Sequence, residues 1–217
     1  MLGQFLIVIL LCFSFLGAEE PIRVKVFKGD QIAPYLKKLI LFIDSASKDY
    51  PYFYKDNNED FAKHLASYSN SKDSIVNIAF DGNKIVGIAA GIPLYDASDE
   101  EQETLLKNGY DISKTFFIGK FLILQEYFEE KLALEMGRNI IQFVKEADRF
   151  NSIAVMEMNE SMAKGPKPTK YISTIPLLNL LGFEKHPELN VDMYWTNLND
   201  NRPSPHQMVY WIKKLTN

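Results

Sequence analysis

The sequence predicts a mixed α/β fold that forms one domain over residues 21–217. Three observations support this prediction. Phe116 to Leu124 is apolar almost throughout, as expected of a strand that is covered on both faces. From Glu129 onward, the apolar residues recur at helical spacing. Strand-like and helix-like segments are mixed along the rest of the chain, whose 217 residues, 47% of them hydrophobic, can bury one sizeable core.

Before the central strand, the sequence predicts three strands and three helices. The helices have apolar residues at helical spacing, and the last of them begins at a capping box formed by Ser98 and Glu101. A hairpin turn at residues 81–84 joins two of the strands. In chain order, the elements are the strand Ile22 to Phe27, the helices Ile32 to Ile43 and Asn58 to Ser69, the strands Ser74 to Phe80 and Ile85 to Ile92, and a short acidic helix from Ser98 to Lys107.

From the central strand onward, the prediction is a strand, a long amphipathic helix, and then strand, helix and two strands. Gly182 closes the second helix. Within the third strand, Gly87 and Gly91 lie four residues apart, a spacing that indicates close backbone approach or a bulge. The elements are the strand Phe116 to Leu124, the helix Glu129 to Asp148, the strand Ile153 to Met158, the helix Tyr171 to Leu181, and the strands Val191 to Trp195 and Met208 to Ile212.

Residues 1–18 are predicted to be separate from the domain. Phe5 to Ala18 contains no charge, and Glu19 begins the polar chain. This segment is too short for an ordinary membrane span, but it suits a signal peptide that ends near Ala18. Because no Lys or Arg precedes it and Leu16 stands where cleavage requires a small residue, an uncleaved N-terminal anchor and a misassigned start remain alternatives. We expect an exported protein, periplasmic or secreted, and a cytoplasmic one if the start is misassigned.

The composition excludes several classes of function. A formal charge of −4 and a pI near 5.5 give no reason to expect nucleic acid as a partner. The single cysteine, Cys12, lies in the leader, so the domain has neither a disulfide nor a cysteine nucleophile. His64, His186 and His206 are widely spaced, and we expect them to be solvated or capping residues. We therefore expect no metal, and no stable membrane span beyond the N-terminal segment.

Four motifs and the central strand and helix resemble the GNAT superfamily of acyl-CoA N-acyltransferases. The resemblance covers about Arg23 to Leu215. It implies a central mixed, mostly antiparallel twisted sheet of about seven strands with flanking helices, acetyl-CoA as cofactor, and transfer of its acyl group to an amine, carried by a small molecule or a protein. The motifs are Pro51-Tyr52-Phe53-Tyr54, Val86 to Leu94, Lys167-Pro168-Thr169-Lys170-Tyr171 and Met208-Val209-Tyr210-Trp211.

The resemblance also implies roles for particular residues. Tyr171 corresponds to the general acid that protonates the leaving thiolate, and its alternative is a packed tyrosine with a locally bonded hydroxyl. Glu157, where the family has an arginine, is the candidate base. Tyr52 and Tyr54 line an acceptor cleft or cover the edge of the sheet. The candidate cofactor-binding residues, on the strand for the pantetheine arm and on the turn for the diphosphate, are Leu122, Ile123, Leu124, Phe128, Lys131, Leu132 and Ala133.

The turn before the long helix departs from the family pattern. A helix start that binds a diphosphate needs small residues and a positive field, but Phe128 replaces a basic or amide residue and Lys131 replaces a glycine. Glu129 and Glu130 add two carboxylates, each of which would repel a phosphate charge at about 5 Å by roughly 3 kcal/mol before screening. We expect weakened acetyl-CoA binding. The alternative function is therefore an exported, non-catalytic GNAT-fold protein that binds a ligand or a partner protein.

Overall fold

Among the residues that the structure describes, seven strands form one mixed sheet in the order β1-β2-β3-β4-β5-β7-β6, in which β4 and β5 are parallel and every other neighbouring pair is antiparallel. The structure is a computed structural model that describes residues 21–55 and 58–215, so the predicted leader lies outside the described residues. The predicted mostly antiparallel sheet of about seven strands is confirmed. The strands are β1 (Arg23–Lys28), β2 (Ile75–Asp81), β3 (Lys84–Pro93), β4 (Thr115–Ile123), β5 (Ser152–Met158), β6 (Glu184–Trp195) and β7 (Ser204–Lys214).

In the described part of the chain, five α-helices cover the two faces of the sheet. On β2, Val76 and Ile78 belong to one buried cluster and Ile75 to another, because successive side chains of a strand point to opposite faces. The first cluster includes residues of α1, α2 and α3, and the second includes residues of α4 and α5. None of the described helices is long and apolar enough to cross a membrane. The helices are α1 (Leu36–Ser47), α2 (Asn58–Asn70), α3 (Asp99–Lys107), α4 (Glu130–Glu146) and α5 (Ile175–Leu180).

The centre of the sheet is irregular in two places. β4 pairs with β5 only from Thr115 to Ile118, and beyond this point β4 pairs only with β3 and β5 only with β7. The two central strands therefore separate toward their C-terminal ends. The register of β3 against β4 also shifts between Ala90 and Gly91, and a Cβ added to Gly91 would lie 2.3 Å from Cε1 of Phe116. The predicted bulge and close approach at Gly91 are confirmed.

Prolines account for two differences from the predicted elements. The helix predicted from Ile32 starts as a 3-10 helix over Gly29–Tyr35, and α1 follows it. Pro34 has no N–H to donate, which disfavours a regular α-helix there. β6 is longer than predicted and contains Pro187, which lies in the register shift between His186 and Asn190. Proline is tolerated there because β6 is an edge strand.

The last helix is shorter than predicted. It begins at Ile175 rather than at Tyr171, with Pro176 in its first turn. Residues 171–174, which precede the helix, are held instead by the carboxylate of Glu160. The hydroxyls of Tyr171 and Ser173 both donate hydrogen bonds to its Oε1. This segment consequently lies as a loop beside the C-terminal end of β5.

Candidate functional site

A cleft opens where β4 and β5 separate. The end of β4, the first residues of the loop after α1, and the segment before α5 line it, and its free volume is about 40 Å³, room for about three water molecules. The cleft brings together two predicted groups of site residues, Leu122, Ile123, Leu124 and Phe128 from the cofactor set and Tyr52 and Tyr171 from the acceptor and catalytic sets.

Glu157 lies near the end of β5 and lines a second, smaller cavity, which shares Phe121 and Thr174 with the cleft. Its side chain is buried, and its Oε1 accepts a hydrogen bond from Thr174 Oγ1 at 2.8 Å. Burial, with a smaller contribution from the charge of Glu160, raises the pKa of this carboxyl to about 7, and the hydrogen bond from Thr174 opposes part of the shift. Near neutral pH, Glu157 is therefore present both as an acid and as a carboxylate that can accept a proton.

Glu160 forms a cluster with the tyrosines of the cleft. Its Oε1 accepts hydrogen bonds from Tyr171 Oη at 3.2 Å and from Ser173 Oγ, and its Oε2 accepts one from Lys167 Nζ at 2.9 Å. Burial raises the pKa of the Tyr171 phenol well above its ordinary value, and the charge of Glu160 adds to this. Tyr52 is affected in the same way: burial first, and then the nearby carboxylates, raise its pKa. Both phenols hold their protons firmly at neutral pH.

Residues 50–54, the aromatic loop after α1, are held in place by the hairpin that β6 and β7 form. Trp195 Nε1 donates to the backbone oxygen of Tyr52 at 3.0 Å, and the indole stacks on the ring of His206 at 3.7 Å between ring centroids. Tyr54 lies on this side, where its ring packs against Phe61 and Trp195, and it does not line the cleft. The structure therefore separates Tyr52 and Tyr54, which the sequence analysis grouped together.

His206 differs from its prediction. It lies in β7 rather than in a loop, it is only 3% exposed, and burial lowers its pKa. The prediction of a solvated or capping residue was wrong for His206. The apolar pattern in the sequence begins only at Met208, whereas strand β7 already begins at Ser204 and therefore includes His206. Within the described ranges, no group of three or more His, Cys, Asp or Glu residues could hold a metal ion.

The start of α4 carries the remaining predicted cofactor residues. Glu129 precedes the helix and does not cap it with its side chain, so the first backbone N–H groups rely on other partners. Glu129, Glu130 and Lys131 are exposed, whereas Leu132 and Ala133 are buried against the sheet. The two buried residues can offer a ligand only their backbone groups.

Comparison with known proteins rests on structure rather than sequence, since no protein-family model and no curated protein matches the chain. The chain is similar to an acetyltransferase of the GNAT family from Streptococcus pneumoniae, with a TM-score of 0.56 and 10% identity over 89% of this chain and 100% of that one. The chain has the GNAT fold. NAA60 of Arabidopsis thaliana, in complex with a bisubstrate analogue, has a TM-score of 0.55, 10% identity and the same coverage of both chains.

A third neighbour with the GNAT fold is the aminoglycoside acetyltransferase AAC(6')-Ib in complex with coenzyme A. It has a TM-score of 0.55 and 12% identity, and the match covers 89% of this chain and 95% of that one. Coenzyme A therefore binds one protein of this fold.

The fit of acyl-CoA is good at the strand and partial at the helix. Because β4 has no β5 partner after Ile118, its backbone edge from Phe121 to Leu124 faces the cleft and is available to the amides of a pantetheine arm. At the start of α4, backbone N–H groups point toward where an anion would bind, but the exposed carboxylates of Glu129 and Glu130 lower the local potential. Lys131 contributes one compensating positive charge.

Sequence reasoning missed Glu160 and Lys167 as members of the site. Lys167 was named only as part of a motif, and no role was predicted for Glu160. No local spacing indicates that they meet, because the chain between them is a loop and their shared partner Tyr50 is more than a hundred residues away. The only signal in the sequence that could have indicated this cluster is a glutamate, Glu160, placed just after a central strand.

Proposed function

We propose that this chain transfers an acyl group from acyl-CoA to an amine, with Glu157 as the base. The observation that carries the proposal is the position of a buried carboxyl with a pKa of about 7 beside the gap between β4 and β5. A general base acts best when its pKa lies near the working pH. The GNAT fold and the acetyltransferases that share it support the class of reaction.

The proposed reaction breaks the acyl–sulfur bond and forms an acyl–nitrogen bond. Bound in the cleft, acyl-CoA supplies the acyl thioester. Glu157 accepts the proton that the amine nitrogen loses, and the hydrogen bond from Thr174 fixes the carboxylate for that step. Tyr171 Oη delivers a proton to the sulfur. Its hydroxyl must first leave Glu160, because the charge of that carboxylate raises the pKa of the phenol and makes it a weaker acid while the two are hydrogen-bonded.

Titration with acetyl-CoA tests the proposal. We expect saturating acetyl-CoA to raise the melting temperature by several degrees, because a ligand at a hundred times its Kd stabilises the folded state by about 2.7 kcal/mol. Glu157→Gln should keep this shift but lose turnover by roughly 10²- to 10⁴-fold, the usual contribution of a general base. The absence of both a thermal shift and calorimetric heat would exclude acetyl-CoA as the donor.

A second candidate function is supported by the start of α4. Glu129 and Glu130 place negative charge where the donor's diphosphate would bind, and Phe128 adds bulk at the edge of the cleft. We propose as the alternative an exported, non-catalytic GNAT-fold protein whose cleft binds a ligand or a partner protein. Cell fractionation that finds a shortened chain starting near Glu19 would support export, and a full-length cytoplasmic chain would contradict it.

Restoring the family residues at this turn separates the two candidates. The variant Phe128→Arg/Glu129→Gly/Lys131→Gly should bind acetyl-CoA at least about tenfold more tightly, equivalent to 1.4 kcal/mol. It removes the bulk of Phe128 and Lys131, and although it loses the ammonium group of Lys131, the loss of one carboxylate and the added guanidinium make the turn more positive. Glu135→Gln, an exposed change on α4 beyond its first turn, is the matched control and should leave the Kd unchanged. Equal binding by all three proteins would show that charge and bulk at this turn do not limit the affinity.

A further inference from the structure

Lys167 places its ammonium group in a small site made of a carboxylate and two aromatic rings. Nζ lies 2.9 Å from Glu160 Oε2, 5.0 Å from the centre of the Tyr171 ring and 5.9 Å from that of Tyr50. The two rings pack edge to face at 4.7 Å. Carboxylates and aromatic faces both attract cations, and a protein that binds a cationic ligand uses the same combination.

We propose that Glu160, Tyr50 and Tyr171 form a binding site for a primary ammonium group, which Lys167 fills in the free protein and which the ammonium group of a cationic ligand takes over by displacing it. The side chain of Lys167 is 53% exposed, whereas that of Glu160 is only 16% exposed. The side chain of Lys167 therefore lies at the surface, whereas the carboxylate that binds it is largely enclosed by the protein. Gly165, Pro166 and Pro168 flank Lys167 in an exposed loop, so Lys167 can leave without disturbing the core.

The hydrogen bonds of Glu160 select the kind of cation. Oε1 already accepts the hydroxyls of Tyr171 and Ser173, so Oε2 is the oxygen left for the ligand. A guanidinium binds a carboxylate best through both oxygens at once, whereas an ammonium group acts as a point charge and needs only one. The site therefore favours a lysine-like ligand over an arginine-like one.

The local charge balance also favours a ligand with more than one positive charge. Glu157 lies close enough to Glu160 for the charge of Glu160 to raise the pKa of Glu157, and within the described residues no Lys or Arg except Lys167 forms an ion pair with either of them. When Glu157 and Glu160 are both ionised, a single bound ammonium group neutralises only one of the two carboxylates, so a net negative charge remains. A second cationic group on the ligand would balance it.

Together with the proposed function, on which this step rests, the site defines the class of acyl acceptor. An amine that pairs with Glu160 is kept protonated and cannot attack a thioester. The reacting nitrogen must therefore be a second amine that reaches Glu157. The acceptor class is then molecules with two amino groups, either diamines or peptides that carry a lysine beside another amine.

The binding test uses Nα-acetyl-lysine methylamide and its arginine counterpart, by calorimetry on the full domain without acyl-CoA. Lys167→Met should tighten binding of the lysine compound about tenfold if Lys167 fills the site nine-tenths of the time. Lys170→Met removes a neighbouring exposed lysine of the same loop and should change nothing. In the Lys167→Met background, the arginine compound should bind more weakly than the lysine compound.

The outcomes separate this proposal from the proposed function. Equal Kd values for the wild type, Lys167→Met and Lys170→Met would overturn the ammonium site, whatever the result with acetyl-CoA. Adding Glu160→Gln to Lys167→Met should abolish the gain, and persistence of the gain would place the ligand elsewhere. If the ammonium site is present but acetyl-CoA does not bind, the proposed transfer fails and the site stands. If acyl transfer to butylamine is as efficient as transfer to cadaverine, the assignment of a diamine acceptor is wrong.

Discussion

Replacing Glu157 by glutamine should remove the contribution of this carboxyl to the pH dependence of stability between pH 4.5 and pH 7. The pKa of this carboxyl is raised from 4.5 to about 7 in the folded state, so over this interval the folded protein binds more protons than the unfolded chain. The free energy of unfolding therefore falls as the pH rises. The stabilising contribution is complete below pH 4.5 and is lost above pH 7, a difference of about 3 kcal/mol.

The glutamine variant should be about as stable as the wild type at pH 5 and more stable than it at pH 8. Glutamine keeps an oxygen that can accept the hydrogen bond from Thr174, and it carries no charge to bury. For a chain of this size the gain at pH 8 corresponds to roughly 6–12 °C in Tm. Urea unfolding at both pH values measures the effect, with Glu135→Gln on the exposed face of α4 as the control. A slope in Glu157→Gln as steep as in the wild type would contradict the assigned pKa.

Replacing Gly91 by alanine should destabilise the fold by about 3 kcal/mol, the upper end of the usual range for an overpacked core. The added Cβ would lie 2.3 Å from Cε1 of Phe116. That ring is fully buried and packs edge to face against Phe143 and Phe150, so it has no free space to move into. The backbone of β3 would have to shift at the bulge instead.

Gly87→Ala is the matched control in the same strand. A Cβ at Gly87 would meet Cγ1 of Ile123 at 3.2 Å, a contact that a small rotation of the isoleucine can relieve. Cβ of Ala79 and the backbone oxygen of Leu122 would both lie at 3.4 Å, which is ordinary van der Waals contact. Its cost should stay below about 1 kcal/mol. Urea midpoints of the two variants measure the difference, and adding Phe116→Leu to Gly91→Ala should restore part of the stability. Equal midpoints for Gly87→Ala and Gly91→Ala would show that the Phe116 ring is not the obstacle.

The regular parts of the fold could be predicted because their signals are local. The stripe formed by Leu132, Met136 and Ile140 needs only the period of one helix, and α4 buries these residues. The glycine at position 91 indicates a close approach because no other residue occupies less space. The spacing of apolar residues along each strand likewise predicts which face is buried, without knowledge of the neighbouring strands.

The site was predicted less completely because its contacts join distant parts of the chain. Tyr171 was expected in a helix, since Leu177 and Leu178 follow it with helical spacing, but its hydroxyl bonds to Glu160 and keeps the segment extended. The pairing of Lys167 with Glu160 depends on how a loop folds back, which no local pattern specifies. Charge at a turn can be read from a sequence, whereas the partner of that charge cannot.

The stacking of Trp195 on His206 gives the cleft a natural optical reporter. The indole also donates to the backbone of Tyr52, so any ligand that displaces the aromatic loop alters the surroundings of this ring. The chain has only two tryptophans, and the other, Trp211, is buried in β7 within the core cluster on the α4 face of the sheet. Emission from the protein's own indoles can therefore signal occupancy of the cleft with no dye attached.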